Sequence, residues 1–348
     1  MPSVSIFLPN AGCKNRCAFC DQGLTTGEKM PSPGDIRGLA EKALELNKEK
    51  ASGLELSFFG GSFTALPPDV MEGMLSASAP FVRNAAGKNT GDNKELFCGV
   101  RVSTRPDCID ETVLEMLKFY GVTAIELGAQ SMDDGVLLKN MRGHTSAHTA
   151  SAAAMIKEKG IELGIHMMTG LYGGGEEESF ATAGSIASLS PDLVRIHPTL
   201  VLKGTALESL YTAGEYIPIS LDESAELCAK LMDFFEEKGI TVARVGLHFT
   251  QSLQDGVVAG PWHPAFGEIC AGMRFLIRAR KGLFENNVPK GNITLRVNPK
   301  DLSKMTGQKK SNLTRLKESG HDAAVATDET LAKNSIIIIK EGMEPVCC

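Results

Sequence analysis

From Val4 to Val245, apolar runs of strand length alternate with stretches whose apolar residues recur at the helical period. No other feature constrains the fold so tightly. Strand-like runs lie at Val4, Ile6 and Leu8, at 54–59, 97–102, 124–127, 163–168 and 193–200, and at 241–245. Helical stretches lie between them, opening at Pro31-Ser-Pro-Gly-Asp35 and covering 68–81, 110–120, 146–159, 177–189 and 221–238. Repeated strand–helix units with right-handed crossovers build a parallel sheet covered by helices. Six such units predict an α/β fold, a partial and open (βα)6 barrel. Residues 85–93, small and polar, read as a loop or insertion. Beyond about Gln251 the pattern breaks at Gly260-Pro261-Trp262-His263-Pro264 and resumes with a helix over 266–281. Strands near 293–297, 323–326 and 335–339 and a helix near 311–318 then predict a small α+β extension. The expected division is a barrel core over 1–250 and an accessory region over 251–348.

Directly after the first strand comes Pro9-Asn-Ala-Gly-Cys13-Lys-Asn-Arg-Cys17-Ala-Phe-Cys20-Asp21. Three thiols in C-x3-C-x2-C spacing on one short loop can hold a metal, but are one short of the usual four ligands. The set therefore implies either a distant fourth ligand or an open coordination position. In a cubane of four irons and four sulfides, three cysteines leave one iron free to bind a small molecule. Phe19 would cover such a cluster with an apolar ring and limit its contact with water. The same thiols could instead bind zinc with Asp21 or a remote histidine, or stand unligated.

In parallel α/β barrels the site forms at the C-terminal ends of the strands, and the distinctive motifs fall there. Gly60-Gly61-Ser62 follows the second strand, where its backbone can approach a ligand closely. Ser103-Thr104-Arg105-Pro106-Asp107 follows the third. Glu126-Leu-Gly-Ala-Gln130-Ser131 and then Asn140-Met-Arg142-Gly-His144-Thr145 follow the fourth. Gln130 can hydrogen-bond hydroxyls, and Arg142 can grip a carboxylate through its planar fork. Lys203, after the sixth strand, is placed by the barrel reading in the same cavity, where it could hold an anionic substrate or pair with a carboxylate.

The thiol spacing, with an aromatic before the last cysteine and a strand before the first, resembles the signature of the radical S-adenosylmethionine (SAM) superfamily. The resemblance implies a [4Fe-4S] cluster on Cys13, Cys17 and Cys20, whose free iron chelates SAM and passes it one electron. The sulfonium then breaks to methionine and a 5′-deoxyadenosyl radical, chemistry that belongs to the cofactors. Thr104-Arg-Pro-Asp, Glu-Leu-Gly-x-Gln-Ser, Arg142-Gly-His-Thr, His166-Met-Met-x-Gly-Leu and Pro198-Thr-Leu-Val-Leu-Lys203-Gly-Thr look closest to the radical-SAM subunit of Elongator. They also resemble, less closely, the oxygen-independent coproporphyrinogen dehydrogenase. By matching positions, the resemblance carries cofactor-binding roles to Gly60, Gly61, Ser62, Thr104, Gln130, Arg142 and His166. It also implies a one-electron donor of the flavodoxin or ferredoxin type. One departure matters: Elongator's subunit carries an acetyltransferase-like domain, and nothing in this chain has its length or pattern.

Charge and composition bound the rest. The segment from Ala271 to Gly320 carries twelve Lys or Arg against three carboxylates, a net of +9 that leaves −15 elsewhere in a chain of net −6. That distribution suggests a polyanionic partner for the segment, tRNA or another RNA. A solvated basic surface is the plainer alternative. No stretch approaches the roughly 20 apolar residues of a membrane span, and no secretory signal is visible, so a cytoplasmic protein without membrane contact is expected. Nine cysteines then serve metals more often than disulfides, and Cys98, Cys108, Cys228 and Cys270 read as buried small hydrophobes. Cys347 and Cys348, at the chain end, have no role the sequence supports. Three functions remain: a radical enzyme modifying RNA, one acting on a small metabolite such as a porphyrin precursor, and a non-catalytic metal protein.

Overall fold

The structure, a computed structural model, describes residues 3–13, 16–22, 29–47, 53–87, 95–247 and 250–347. Lys14 and Asn15 of the thiol loop, residues 88–93 of the expected insertion, and Cys348 lie outside the described residues. By proximity the chain forms two compact units, one drawn from 1–219, 235–244 and 248–262, the other from 220–234, 245–247 and 263–348.

The first unit is built on a seven-stranded sheet in sequential order. Its strands are β1 (Ser3–Leu8), β2 (Glu55–Gly60), β3 (Gly99–Thr104), β4 (Val122–Gln130), β5 (Glu162–Thr169), β6 (Leu193–Pro198) and, after the short β7 (Val201–Leu202), β8 (Thr241–Val245). Pairing from β1 through β6 is parallel throughout, so the partial α/β barrel expected from the alternation is present. Helices α1 (Pro33–Leu46), α2 (Pro68–Ser78), α3 (Glu111–Phe119), α4 (Asp134–Lys139), α5 (Ser146–Glu158), α6 (Glu176–Ser188) and α7 (Ala206–Thr212) fall between these strands. Local chemistry sets their starts. Ser32 and Asp35 close a capping box around Pro33 on α1, and Asp110 and Asp133 cap α3 and α4 by accepting from backbone amides.

The second unit contains α8 (Leu221–Glu237) up to Phe234. After α9 (Gln251–Gly256) and β9 (Val257–Ala259), which belong to the first unit, it continues with α10 (Phe266–Glu285). Its four-stranded sheet has the order β11-β10-β12-β13, with β10 (Gly291–Val297), β11 (His321–Thr327), β12 (Ile336–Ile339) and β13 (Val346–Cys347). β10 pairs parallel with β11 and antiparallel with β12. The parallel pair requires a crossover, supplied by α11 (Leu302–Thr306) and α12 (Ser311–Glu318). Cys228 and Cys270 are buried, whereas Cys98 and Cys108 are only half-buried, a departure from the expected four buried thiols. Cys98 instead donates to the Leu54 carbonyl at 3.1 Å. No helix among the described residues is long and apolar enough to cross a membrane.

Ionic links run between the strands of the large sheet. Arg101 of β3 meets Glu55 of β2 at 2.8 Å, Glu126 of β4 at 3.4 Å and Glu162 of β5 at 2.8 Å. Glu126 in turn meets Arg195 of β6 at 2.8 Å and His166 of β5 at 2.6 Å. Burial would raise the Glu126 pKa, but His166, Arg195 and Arg101 hold it down at about 2, from the ordinary 4.5. Its stabilisation is therefore complete above the ordinary value and is lost as pH falls through about 2. Acid unfolding of Glu126→Gln should lack that component. In denaturant titrations Arg101→Met should cost about 3–5 kcal/mol, because it strands the buried Glu55 carboxylate and takes one of three cations from Glu126. A cost below about 1 kcal/mol would show that this cation does not hold the sheet together.

Candidate active site

The thiol loop and the turn after β2 are stitched together by backbone. Gly61 N donates to Leu8 O at 2.8 Å and Ser62 N to Ala11 O at 2.7 Å. Gln22 bridges the same two segments, donating to the Gly60 carbonyl while accepting from Asn10 N at 2.6 Å. Gly61 has to be glycine, since a Cβ there would collide with the Ala11 carbonyl oxygen, and Gly60 uses a φ of +109°. The two amides are thus spent on holding the loop and do not stand free for a ligand. Ser62 stays close to the thiols, its Oγ 3.6 Å from Cys13 Sγ. Thr104 supports the turn rather than facing outward: its Oγ1 lies 2.6 Å from Thr64 Oγ1 and accepts from Thr64 N at 3.3 Å.

Arg142 reaches the loop from beyond β4. Its Nη1 donates to Cys17 Sγ at 3.0 Å and its Nη2 to Gly128 O at 2.5 Å, while Nε has no partner among the described residues. The β4–β5 register shifts between Gly128 and Gln130, and Gln130 takes a φ of 69°. Such a bulge re-aims a side chain at the end of a strand. Gln130 Oε1 is shut off from solvent without a partner among the described residues, and an acceptor in that position asks for a donor from a ligand. Gly128 keeps the space open; a Cβ there would stand 3.1 Å from Gln130 Nε2 and 3.4 Å from Arg142 Nη2. Behind them His144 is kept neutral, its pKa pushed down to about 4 by burial and by Arg142 and Arg105.

The other expected residues divide. Phe19, 9 % exposed, packs in an apolar cluster with Val136, Met168 and Leu171, and Cys17 and Cys20 pack against that cluster. His166 Nε2 is committed to Glu126, and its ring lies 5.5 Å from that of His197. Lys203 departs from the expected cavity. β7 pairs antiparallel with β9, and Lys203 N continues that pairing to Gly256 O at 2.9 Å. Its exposed ammonium donates to the Asp255 carbonyl at 2.8 Å. Sequence reasoning missed Gln22 and the Arg101–Glu126–Arg195 links. The second had a signal, charged residues recurring inside otherwise apolar strands.

Burial, reinforced by Cys17 and Cys13 and opposed by Arg142, pushes the Cys20 thiol up to about 12. Cys20 cannot stand as a thiolate in such a setting without added positive charge. No three His, Cys, Asp or Glu side chains among the described residues converge as a single metal ion requires. A four-iron cluster takes each thiolate on a different iron, within an apolar shell. The donor set and its surroundings therefore fit a cluster.

Comparison with known sequences agrees. The Radical SAM superfamily matches residues 7–184, just over half of the chain, and the Radical_SAM C-terminal domain matches 191–273. The chain belongs to the radical SAM superfamily. It is accordingly a radical SAM enzyme, with SAM and a [4Fe-4S] cluster as its cofactors. Among its relatives is the tRNA uridine(34) acetyltransferase of Methanocaldococcus infernus, 26% identical over 64% of this chain and 48% of that protein. Another is Elongator complex protein 3 of Saccharomyces cerevisiae, 30% identical over 56% of this chain and 37% of that protein. The chain spans about half the length of the curated relatives it matches. The archaeal M. infernus Elp3 with an N-terminal deletion shares the fold at a TM-score of 0.58 and 21% identity, over 83% of this chain and 63% of that one.

Anaerobic reconstitution should load about four irons per chain, and Cys17→Ala should abolish loading. Gly61→Ala should lower it by driving the loop off the turn, whereas Cys98→Ala should leave it unchanged. One tightly held zinc, with no absorbance from iron, would overturn the assignment.

Proposed function

We propose that this chain cleaves SAM reductively at a [4Fe-4S] cluster on Cys13, Cys17 and Cys20 and uses the product to modify RNA, with tRNA as the substrate. The observation that carries the first half is the stitching of the three-thiol loop to the Gly60-Gly61-Ser62 turn, with Gln130 and Arg142 brought beside it. When bound, the cofactors supply one electron and a 5′-deoxyadenosyl radical able to abstract hydrogen. The chain's own residues bind and orient. Gln130 offers its unpartnered oxygen to a hydroxyl of the nucleoside. Arg142, anchored on Gly128 and Cys17, presents its remaining donor to the amino-acid end. The apolar patch around Phe19 shields the Cys17 and Cys20 sulfurs from water.

The RNA half rests on the relatives named as tRNA uridine(34) acetyltransferases and on the basic stretch of the second unit. The reading places the enzyme in the cytoplasm, away from membranes, with a flavodoxin- or ferredoxin-type electron donor. The direct test is nucleoside analysis of tRNA from a deletion strain, which should lack one modified nucleoside. An unchanged profile, with a small acidic metabolite accelerating SAM cleavage instead, would overturn the RNA reading. In vitro, Gln130→Ala should leave iron content intact and weaken SAM binding about tenfold, the scale of one lost hydrogen bond. Unchanged SAM affinity would remove Gln130 from the site.

A further inference from the structure

Six of the twelve cations between 271 and 320 are ion-paired inside the second unit, Lys281 with Glu285 among them. Arg274 and Arg278 share Asp233 at 2.5 and 2.6 Å. Lys304 holds Asp301 at 2.7 Å, Arg315 holds Asp222 at 2.7 Å and Lys317 holds Asp322 at 3.2 Å. Arg280 donates to the Arg315 carbonyl. Lys290, Lys300, Lys309 and Lys310 are exposed, with no ion pair or hydrogen bond to their ammonium groups among the described residues, and of these only Lys309 and Lys310 are adjacent. They sit side by side in the four-residue loop at 307–310 that joins α11 to α12.

That loop is rigid and shaped for something outside itself. Gly307 (φ 74°, ψ 163°) admits no side chain, since a Cβ would come within 2.6 Å of Ser311 Oγ and 2.8 Å of Asn312 N. Asn312, buried beneath it, donates to the carbonyls of Gly272 and Lys304 at 2.8 and 3.0 Å. Gly307 N is held by Ser303 O at 2.9 Å and Lys310 N by Gly307 O at 3.1 Å. On this fixed base Lys309 (φ 51°, ψ 33°) and Lys310 (φ 63°, ψ 25°) both adopt left-handed backbone. A chain that needed only a turn would put Gly or Asn there. The strain is borne by two lysines, and their charge is what Gly or Asn could not supply.

We propose that the loop at 307–310 clamps the sugar–phosphate backbone of a single-stranded stretch of RNA. A glycine-opened loop that grips about four nucleotides of backbone is how KH modules hold single strands. Here the loop likewise opens on a glycine, and its fourth position, Lys310, keeps the left-handed backbone that glycine allows while adding a charge. The surrounding β10–α11–loop–α12–β11 arrangement, with β10 and β11 parallel, sets the loop between two helices on one side of a sheet. Two adjacent cations on a short loop suit one strand; a duplex needs contacts spread across successive grooves. The inference rests on the RNA reading above and narrows it from a basic segment to one loop and one form of RNA.

The test is fluorescence anisotropy of the full chain with a labelled single strand of about ten nucleotides and with the same strand annealed to its complement. The single strand should bind at least about tenfold tighter than the duplex. Lys309→Glu with Lys310→Glu should weaken single-strand binding at least about tenfold. It should also flatten the salt dependence by about 1.4 log units per log unit of salt, two contacts at about 0.7 each. Lys309→Gly with Lys310→Gly, which keeps the backbone and removes the strain, should also lose affinity without lowering Tm. Lys290→Glu with Lys317→Glu, at the far end of α12, should weaken binding less than about threefold. Equal losses from the two charge reversals, or a duplex bound as tightly as the single strand, would overturn the clamp. The assay needs neither iron nor SAM. No preference for the single strand, in a protein whose deletion still removes a tRNA nucleoside, sinks the clamp alone; failed RNA binding with an unchanged nucleoside profile sinks the RNA reading with it, and tight RNA binding without SAM cleavage sinks the radical reading alone.

Discussion

A carboxylate taken out of water has to be met by cations, and Glu126 is met from three strands at once. At 1 % exposure it touches Arg101, Arg195 and His166, so β3, β4, β5 and β6 are tied through one side chain. Hydrogen-bond ladders alone leave register open to slips, whereas a buried ion does not. A shift of β4 by one residue would turn Glu126 to the opposite face and leave Arg101 and Arg195 without it. Gly128 and Gln130 follow on the same strand at two and four residues' distance. The ion contacts that fix Glu126 therefore also set where the strand end delivers the space beside Arg142 and the amide of Gln130.

The strand–helix order was legible because parallel strands covered on both faces are near-continuous apolar runs. Where the reading fell short, polar residues inside the sheet were the reason. β4 runs from Val122 to Gln130 and β5 from Glu162 to Thr169, each longer than the runs 124–127 and 163–168 read from the sequence, because Thr123, Gly128, Gln130, Glu162 and Thr169 at the strand ends are polar or small. The short helices α4, α7 and α9 escaped notice, since six or seven residues hold too few turns to show a period. Their caps were nevertheless in the sequence: Asp133, Thr205 and Thr250 each accept from an amide two or three residues on.

The site was legible as residue types and less so as roles. Chemistry at strand ends brought Cys13, Ser62, Gln130 and Arg142 into one argument, and the structure places Ser62 on Cys13 and Arg142 on Cys17. What spacing could not convey was which polar groups are already spent. Thr104 is bound to Thr64, Lys203 to the Asp255 carbonyl, and the amides of Gly61 and Ser62 to the thiol loop. The same blindness inflated the basic segment, where a count of charges cannot see that Asp222 and Asp233, far upstream in the chain, neutralise Arg315, Arg274 and Arg278.

The contacts that place the thiols do not involve the thiols. Gly61 N to Leu8 O, Ser62 N to Ala11 O, Ala18 N to Asn140 O, and Leu207 N to Ala18 O, the last at 2.7 Å, are all backbone bonds. Their strength is independent of whether sulfur is protonated, ionised or bound to iron. Many small metal sites are assembled by their ion, so that part of the binding energy goes into folding the loop. Here the loop is anchored at 8, 11 and 18 by the sheet and by neighbouring turns. The positive charge of iron then has one main electrostatic task, holding Cys20 as a thiolate in a setting whose burial otherwise keeps it protonated. Binding energy not consumed by folding would stay available for cluster affinity, and Arg142 keeps its place on Cys17 and Gly128 through the protein's own contacts.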